Sequence, residues 1–118
     1  SGFVMNVTKR AGDSAGAHDE VTRPRDLAER IAQCWTPPAD ASGEVTLRMQ
    51  FARSGAVIGE PRVTYARAAG GAHAAFVASI RAAVRDCAPL RFTPEMARAI
   101  AGYPFAIRFI AAGADQSP

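Results

Sequence analysis

Strict alternation of apolar and polar side chains marks residues 44–51, which read Glu-Val-Thr-Leu-Arg-Met-Gln-Phe. Side chains two residues apart in a strand lie on one face of a sheet, so the pattern predicts a strand with one buried and one solvated face. Arg53-Ser54-Gly55 then supplies turn residues, and apolar residues return at Val57 and Ile58. The stretch therefore predicts a β-hairpin, whose second strand resumes over residues 62–65.

Three segments around this hairpin have helical periodicity. The first runs from Pro24 to Trp35 and is expected to begin with a capping box formed by Asp26 and Glu29. The longest covers about residues 72–88, with an apolar stripe on one side and arginines on the other. A short turn of helix is predicted for residues 93–101, after a proline that closes the long helix.

The last element, residues 104–111, alternates again and predicts a third strand. Pro61 lies inside the second strand, and a proline there indicates a sheet edge or a bulge. The order helix, strand, strand, helix, short helix, strand predicts an α+β fold, a small three-stranded antiparallel sheet with helices packed on one face.

One domain is expected over residues 23–112, because 118 residues with 48% hydrophobic side chains suffice for a single core. Residues 1–22 are predicted to be a flexible N-terminal segment or the end of a stalk, whose apolar cluster Phe3 to Val7 could lay a short strand on the domain. Residues 113–118 are predicted to be a tail.

The charge distribution leaves two classes of function open. The net charge is +3 and the pI near 9.4, but thirteen of the fourteen basic residues are arginines scattered along amphipathic elements. Phosphate binding requires clustered cations, so the scatter favours solvated faces and no nucleic acid is expected as partner. A small basic nucleic-acid-binding α+β domain remains the alternative, and DNA or RNA affinity with a steep salt dependence would favour it.

Residues that could carry catalysis are few. His18 and His73 lie far apart, without metal-ligand spacing, and the glycines at 70 and 71 are not followed by the residues of a phosphate-binding loop. Glu44, Glu60 and Asp86 alternate with arginines, which is typical of surface pairs. The sequence therefore predicts no catalytic residue, no metal and no cofactor, and a protein that is not an enzyme.

Four runs carry a resemblance to a known family, namely Ile-Ala-Gln-Cys-Trp-Thr-Pro-Pro from Ile31, the hairpin segment from Gly43 to Val57, the helix segment from Phe76 to Arg85, and Cys87-Ala-Pro-Leu. Together they resemble the C-terminal domain of the TonB/TolA family. In that family a helix ending near an aromatic residue and proline precedes a hairpin, an Ala-rich helix closed by proline and a final strand. The resemblance covers roughly residues 26–110.

The resemblance implies a role in the cell envelope of a Gram-negative bacterium. The domain would lie in the periplasm as part of an energy transducer, and the full-length protein would be held in the inner membrane by an N-terminal anchor that is missing from this sequence. Its partners would be periplasmic or outer-membrane proteins, either Tol-Pal components or a TonB-dependent receptor. A monomer and a strand-exchanged dimer are both compatible with so small a sheet.

The two cysteines, Cys34 and Cys87, are too far apart for a redox or zinc Cys-x-x-Cys motif. Both fall on apolar stripes near helix ends, so a disulfide and two buried free thiols are both compatible with the pattern. The periplasm implied by the resemblance favours the disulfide.

The partner site is expected on the final strand. A sheet edge presents unpaired main-chain donors and acceptors that an extended peptide can complete as an added strand. The resemblance implies that partners dock along this edge, and the residues assigned to it are Phe105, Ala106, Ile107, Arg108, Phe109 and Ile110. The opposing possibility is that the strand lies between neighbours or is covered by the cluster Phe3 to Val7. A small enzyme is a third possibility and would require a pocket with convergent polar groups.

Overall fold

The computed structural model describes residues 3–9, 20–39, 41–68 and 73–112. These ranges contain six strands and three helices. In chain order they are β1 (Phe3–Lys9), β2 (Glu20–Val21), α1 (Pro24–Cys34), β3 (Ser42–Met49), β4 (Arg62–Ala68), α2 (His73–Cys87), β5 (Arg91–Phe92), α3 (Pro94–Ile100) and β6 (Phe105–Ala112).

Four of the strands form one mixed sheet in the order β1-β6-β3-β4. β3 runs antiparallel to β4 and β6, whereas β1 runs parallel to β6, and β2 pairs with β5 in a separate parallel ladder. The predicted α+β class is confirmed, but the prediction of a three-stranded antiparallel sheet is wrong. The N-terminal segment, which we placed outside the domain as residues 1–22, contributes β1 and β2, so the sheet begins before residue 23.

The predicted hairpin is present as β3 and β4, with an irregular tip. Phe51 forms a bridge with Val57 across the tip, and Gly55 takes a φ of 92°. This left-handed conformation suits glycine because a Cβ would be crowded by the main chain. The amide of Leu90 donates to the carbonyl of Gly55 at 2.9 Å, so the tip is fastened to the loop after α2.

A β-bulge changes the side-chain alternation of β4. Thr46 pairs with Tyr65 and Leu47 pairs with Val63, which leaves Thr64 as an extra residue. Because cross-strand partners share a face, Val63 lies beside the buried Leu47 on the core side of the sheet. The apolar residues of β4 do not alternate strictly, but because of the bulge they still lie on the same face as the alternating apolar residues of β3.

The core lies between the sheet and the helices. Most buried apolar residues of α1, α2 and α3 belong to one cluster with the odd-numbered residues of β3 and β6. Trp35 is fully buried at its centre, 5.9 Å from the Phe76 ring and edge-on to Phe109 at 5.2 Å. Its indole nitrogen donates to the Ser79 hydroxyl at 3.0 Å, which satisfies the one polar group that burial would otherwise leave unpaired.

The first helix begins differently from the prediction. Asp26 lies in the first turn after Pro24, and its carboxylate accepts hydrogen bonds from the amides of Thr22 and Arg23 and from the Thr22 hydroxyl at 2.8 Å. Arg23 also forms an ion pair with it at 3.0 Å. The predicted capping box with Glu29 is therefore wrong, because Asp26 reaches back along the chain.

Lys9 ties β1 to the far end of the same helix. Its Nζ donates to the carbonyls of Ala32 and Trp35, both at 2.7 Å, and its side chain is only 8% exposed. The last carbonyls of a helix lack partners within the helix and carry the negative end of its dipole. A buried ammonium group there satisfies both carbonyls and fixes the position of β1.

Candidate functional site

The final strand, β6, is not a sheet edge. β1 pairs with it along one side, from Phe3 opposite Phe105 to Lys9 opposite Ala111, and β3 pairs with it along the other. The predicted partner-binding edge, Phe105 to Ile110, is therefore wrong, and the opposing possibility, a strand enclosed between neighbours and covered by the Phe3 to Val7 segment, is what the structure shows. Within it, Phe105, Ile107 and Phe109 are buried in the core, whereas Ala106, Arg108 and Ile110 are partly exposed.

The sheet edge next to the hairpin is β4. Among the described residues β4 pairs with β3 alone, so its second flank has no neighbouring strand. Its seven residues extend over about 23 Å at ~3.3 Å per residue, which is long enough for several main-chain hydrogen bonds to an added strand. Pro61 immediately precedes β4, in agreement with the edge that a proline indicates.

A groove of about 640 Å³ runs between this edge and α2. Its apolar lining comes from Val63 on β4 and from Val77 on α2, and the small side chains of Ala74 and Ala78 leave the groove open. Arg81 donates to the Pro61 carbonyl at 3.3 Å and links the two walls. The remaining lining residues are charged or titratable, and they are Glu60, His73 and Arg85. An extended segment paired with β4 would lay every second side chain into this groove.

The face of the sheet opposite the helices carries a basic surface. The register places Arg108 of β6 opposite Thr46, and Thr46 opposite Tyr65 of β4. In the neighbouring rows Arg48 is opposite Arg62, and Glu44 is opposite Arg67. We call this surface, formed by Glu44, Thr46, Arg48, Arg62, Tyr65, Arg67, Ala106, Arg108 and Ile110, the open face. Directly opposed like charges destabilise a sheet, so the pair of Arg48 and Arg62 does not itself stabilise the fold.

The second edge of the sheet, β1, differs in its surroundings. A cavity of about 400 Å³ separates it from α1 and is lined by Met5, Asn6, Val7, Thr8, Arg25, Ala28, Glu29 and Ala32. Val4 is 56% exposed on this strand, whereas Val7 is buried. Lys9 anchors the strand to α1, and the described residues place no cluster of charges beside β1 on the open face, so β1 offers less to a partner than β4.

The two cysteines are bonded, as predicted. Cys34 and Cys87 form a disulfide whose Cα atoms are 5.9 Å apart, and it joins the C-terminal ends of α1 and α2. The Arg30 guanidinium donates toward both sulfur atoms, at 3.5 Å to Cys34 and 3.3 Å to Cys87. The cystine therefore holds together the two helices that carry the core.

The residues considered for catalysis are dispersed. His73 lines the groove, Glu60 lies at its other end, and Glu44 lies on the open face, while His18 is outside the described residues. Within the part of the chain that the structure describes, no group of three or more His, Cys, Asp or Glu side chains could hold a metal ion. None of the helices in those same ranges is long and apolar enough to cross a bilayer.

The β4 edge was not predicted as the candidate site, although the sequence contains one signal for it. Pro61 indicated an edge, but the site was assigned from the resemblance instead. The alanines of α2 were a weaker signal for the groove. Small side chains next to the apolar stripe of a helix leave space between that helix and the element packed against it. The register that aligns Arg48 with Arg62 depends on the bulge at Thr64, which no sequence pattern revealed.

The comparisons with known proteins assign a family but no activity. A family model described as "Uncharacterised conserved protein UCP034077" matches residues 17–113. No curated protein and no solved structure matches the chain. The family found is not the TonB/TolA C-terminal domain family, so the resemblance that the sequence carried is wrong, and the partners and anchor that it implied lose their support.

Proposed function

We propose that this chain, which belongs to that uncharacterised conserved family, is a protein-binding domain that docks an extended segment of a partner by adding it as a strand to β4. The observation that carries the proposal is the flank of β4 that no other described strand pairs with, beside an open groove. Main-chain hydrogen bonds along β4 would supply affinity, and the groove would select alternate side chains.

The geometry of the groove supports this mode of binding. Val63 and Val77 supply apolar walls, and the alanines at positions 74 and 78 leave room for side chains of moderate size. Burying an apolar side chain there stabilises a complex by about 25 cal/mol per Å². Because most of that gain is offset by the ordering of the peptide, we expect micromolar rather than nanomolar affinity for a single segment.

The test is a selection of random peptides of about ten residues, displayed on phage, against the wild-type domain. Peptides that bind by strand addition should slow hydrogen exchange at the amides of β4. The substitution Ala78→Trp fills the groove and should weaken the selected peptides at least about tenfold. Ala75→Trp is the matched control, because Ala75 is also exposed on α2 but does not line the groove. Equal binding to both variants, or protection confined to other elements, would refute the proposal.

We further propose that the domain lies outside the cytoplasm, in the periplasm or a comparable oxidising compartment. The support is the bond between Cys34 and Cys87, since structural disulfides persist where thiols are not kept reduced. Thiol trapping with a maleimide reagent in fractionated cells of the native host tests this placement. Free thiols in the freshly trapped protein would contradict it.

A second candidate function, nucleic-acid binding, is favoured by one observation. The open face carries Arg48, Arg62, Arg67 and Arg108 with Tyr65, which is 48% exposed and available for stacking on a base. Titration with single-stranded DNA at several salt concentrations separates the two functions. Binding that weakens steeply with salt and is lost in Arg108→Ala would favour this candidate.

A further inference from the structure

We propose that the segment added to β4 is acidic, with carboxylates at alternate positions facing the open face and apolar side chains between them facing the groove. This inference rests on strand addition at β4 and names the chemistry of the partner. Three features of the edge support this inference. The first is the positive charge of the open face, and the second is the positive charge at one end of the groove. The third is that β4 is poorly suited to pair with β4 of a second copy of this chain.

The open face supplies the first feature. Arg62 and Arg67 lie near the two ends of β4 on this face, with Tyr65 between them. An added strand would place side chains directly beside these three at about 5 Å, the spacing of any cross-strand pair. Arg48 lies behind Arg62 on β3 and adds to the positive potential there. Carboxylates are the side chains that such neighbours select, because guanidinium groups bind them through parallel hydrogen bonds.

The groove supplies the second feature. Arg81 and Arg85 both line it, and Arg81 lies close to Pro61, just before the Arg62 end of β4. The Nε of Arg81 is buried and has no hydrogen-bond partner among the described residues. A buried donor without a partner is costly, and its positive charge adds to that of Arg62 at this end of the edge. Glu60 is the one acidic residue in the lining, so the groove remains positive at this end.

The available charge is not used within the fold. The arginines around the edge are Arg48, Arg62, Arg67, Arg81 and Arg85, and the nearby acids are Glu44 and Glu60. In the described ranges none of these arginines forms an ion pair; the pair that is present joins Arg23 and Asp26. Arg48, Arg62, Arg67 and Arg85 are exposed, so an acidic partner would meet hydrated cations at these positions, whereas Arg81 is half-buried and donates to the Pro61 carbonyl.

The third feature is that the same charges exclude a second copy of this chain. Two copies of β4 paired antiparallel about a two-fold axis would bring Arg62 of each strand close to Arg67 of the other. Like charges directly opposite are unfavourable, and charged edge strands are a common protection against self-association. A segment with carboxylates at those positions turns the repulsion into attraction, so the edge discriminates between partners by charge.

The experiment uses three soluble peptides of about ten residues that alternate valine with glutamate, with threonine or with lysine. Binding to the wild-type domain is measured by fluorescence anisotropy at low and physiological salt. Each opposite-charge pair across strands is worth roughly a 1.5- to 5-fold change in affinity. With two or three such pairs we expect the glutamate peptide to bind about tenfold tighter than the threonine peptide, and the lysine peptide to bind least.

Charge reversal supplies the matched test. R62E/R67E should lose the preference for glutamate and bind the lysine peptide better than the glutamate peptide. R53E/R98E makes the same change in net charge at exposed residues of the hairpin tip and α3, and should behave like the wild type. Urea unfolding of both variants confirms that each remains folded.

The outcomes separate the two proposals. If the glutamate and threonine peptides bind equally and both protect the β4 amides from exchange, the acidic preference is wrong and strand addition stands. If none of the peptides protects β4, strand addition fails as well. If a thymidine oligonucleotide of similar length binds more tightly than the glutamate peptide and R62E/R67E abolishes that binding, the partner is a nucleic acid and the inference is overturned.

Discussion

Removal of the disulfide by the double substitution C34A/C87A is expected to lower the free energy of unfolding by about 4 kcal/mol. The bond joins residues separated by 53 positions, and closure of a loop of that length costs the unfolded chain about 14 cal/mol/K of entropy in the chain-entropy model. At 25 °C this entropy corresponds to about 4 kcal/mol. The loss is a large share of the 5–15 kcal/mol typical of small domains.

Urea denaturation followed by circular dichroism measures this effect. The unfolding midpoint should fall, and the dependence on urea should steepen, because an unfolded chain without the cross-link exposes more surface. The thermal midpoint should drop on the order of 15 °C. Wild-type protein in reductant is the control, and it should match the double variant within ~1 kcal/mol. A loss below ~1 kcal/mol would show that the unfolded chain does not gain the freedom that the bond removes.

Three further substitutions test contacts that hold the fold together. Asp26→Asn should cost about 1–2 kcal/mol at neutral pH, because Asn cannot form the charged hydrogen bonds that hold the pKa of Asp26 well below its usual range, and urea denaturation measures the loss. Lys9→Met should cost about 2–3 kcal/mol by the same assay, since it removes the buried donor of the Trp35 carbonyl and one of the two donors of the Ala32 carbonyl. Gly55→Ala should cost at least ~1 kcal/mol, because its φ of 92° disfavours a Cβ and the Leu90 carbonyl leaves no room for one.

Each of these predictions has its own control. The pKa of Asp26 is depressed in the folded protein, so its contribution is complete above the unfolded pKa of about 3.9 and disappears as the pH falls below it. The difference between wild type and D26N should therefore shrink below about pH 4, and a constant difference down to pH 2 would contradict the assignment. Thr8→Met, on the exposed side of β1, should leave stability within ~0.5 kcal/mol, unlike K9M. Gly59→Ala also has a positive φ but meets nothing within 4 Å, so a cost equal to that of G55A would exclude the clash with Leu90.

Local patterns predicted most of the secondary structure. The alternation of residues 44–51 corresponds to β3 and the bridge at Phe51, and the apolar stripes correspond to α1 and α2. These predictions succeeded because the periods of strands and helices are properties of neighbouring residues. The disulfide was compatible with the sequence but not required by it, since whether two cysteines meet depends on how their helices pack.

The candidate site was expected on an edge strand, but the strand chosen for it is not an edge. An edge strand available for pairing was expected, and the sequence reasoning assigned it to the final strand. The assignment failed because a strand's position in a sheet depends on every other strand that pairs with it. β1 comes from a segment that was placed outside the domain, with an apolar cluster that could lay a short strand on it or cover the final strand, and its parallel pairing encloses β6.

The amino-acid sequence by itself determined the class of the fold and the extent of its main helices and strands. It also determined that most of the charged residues lie on the solvated faces of those elements. Those properties follow from side-chain periodicity and from the conformational limits of proline and glycine. The tertiary structure alone decided the strand order, the pairing of Cys34 with Cys87, and the meeting of Arg48 with Arg62 at the β4 edge. These features join residues distant along the chain, and their positions depend on the packing of the whole core, which no local pattern encodes.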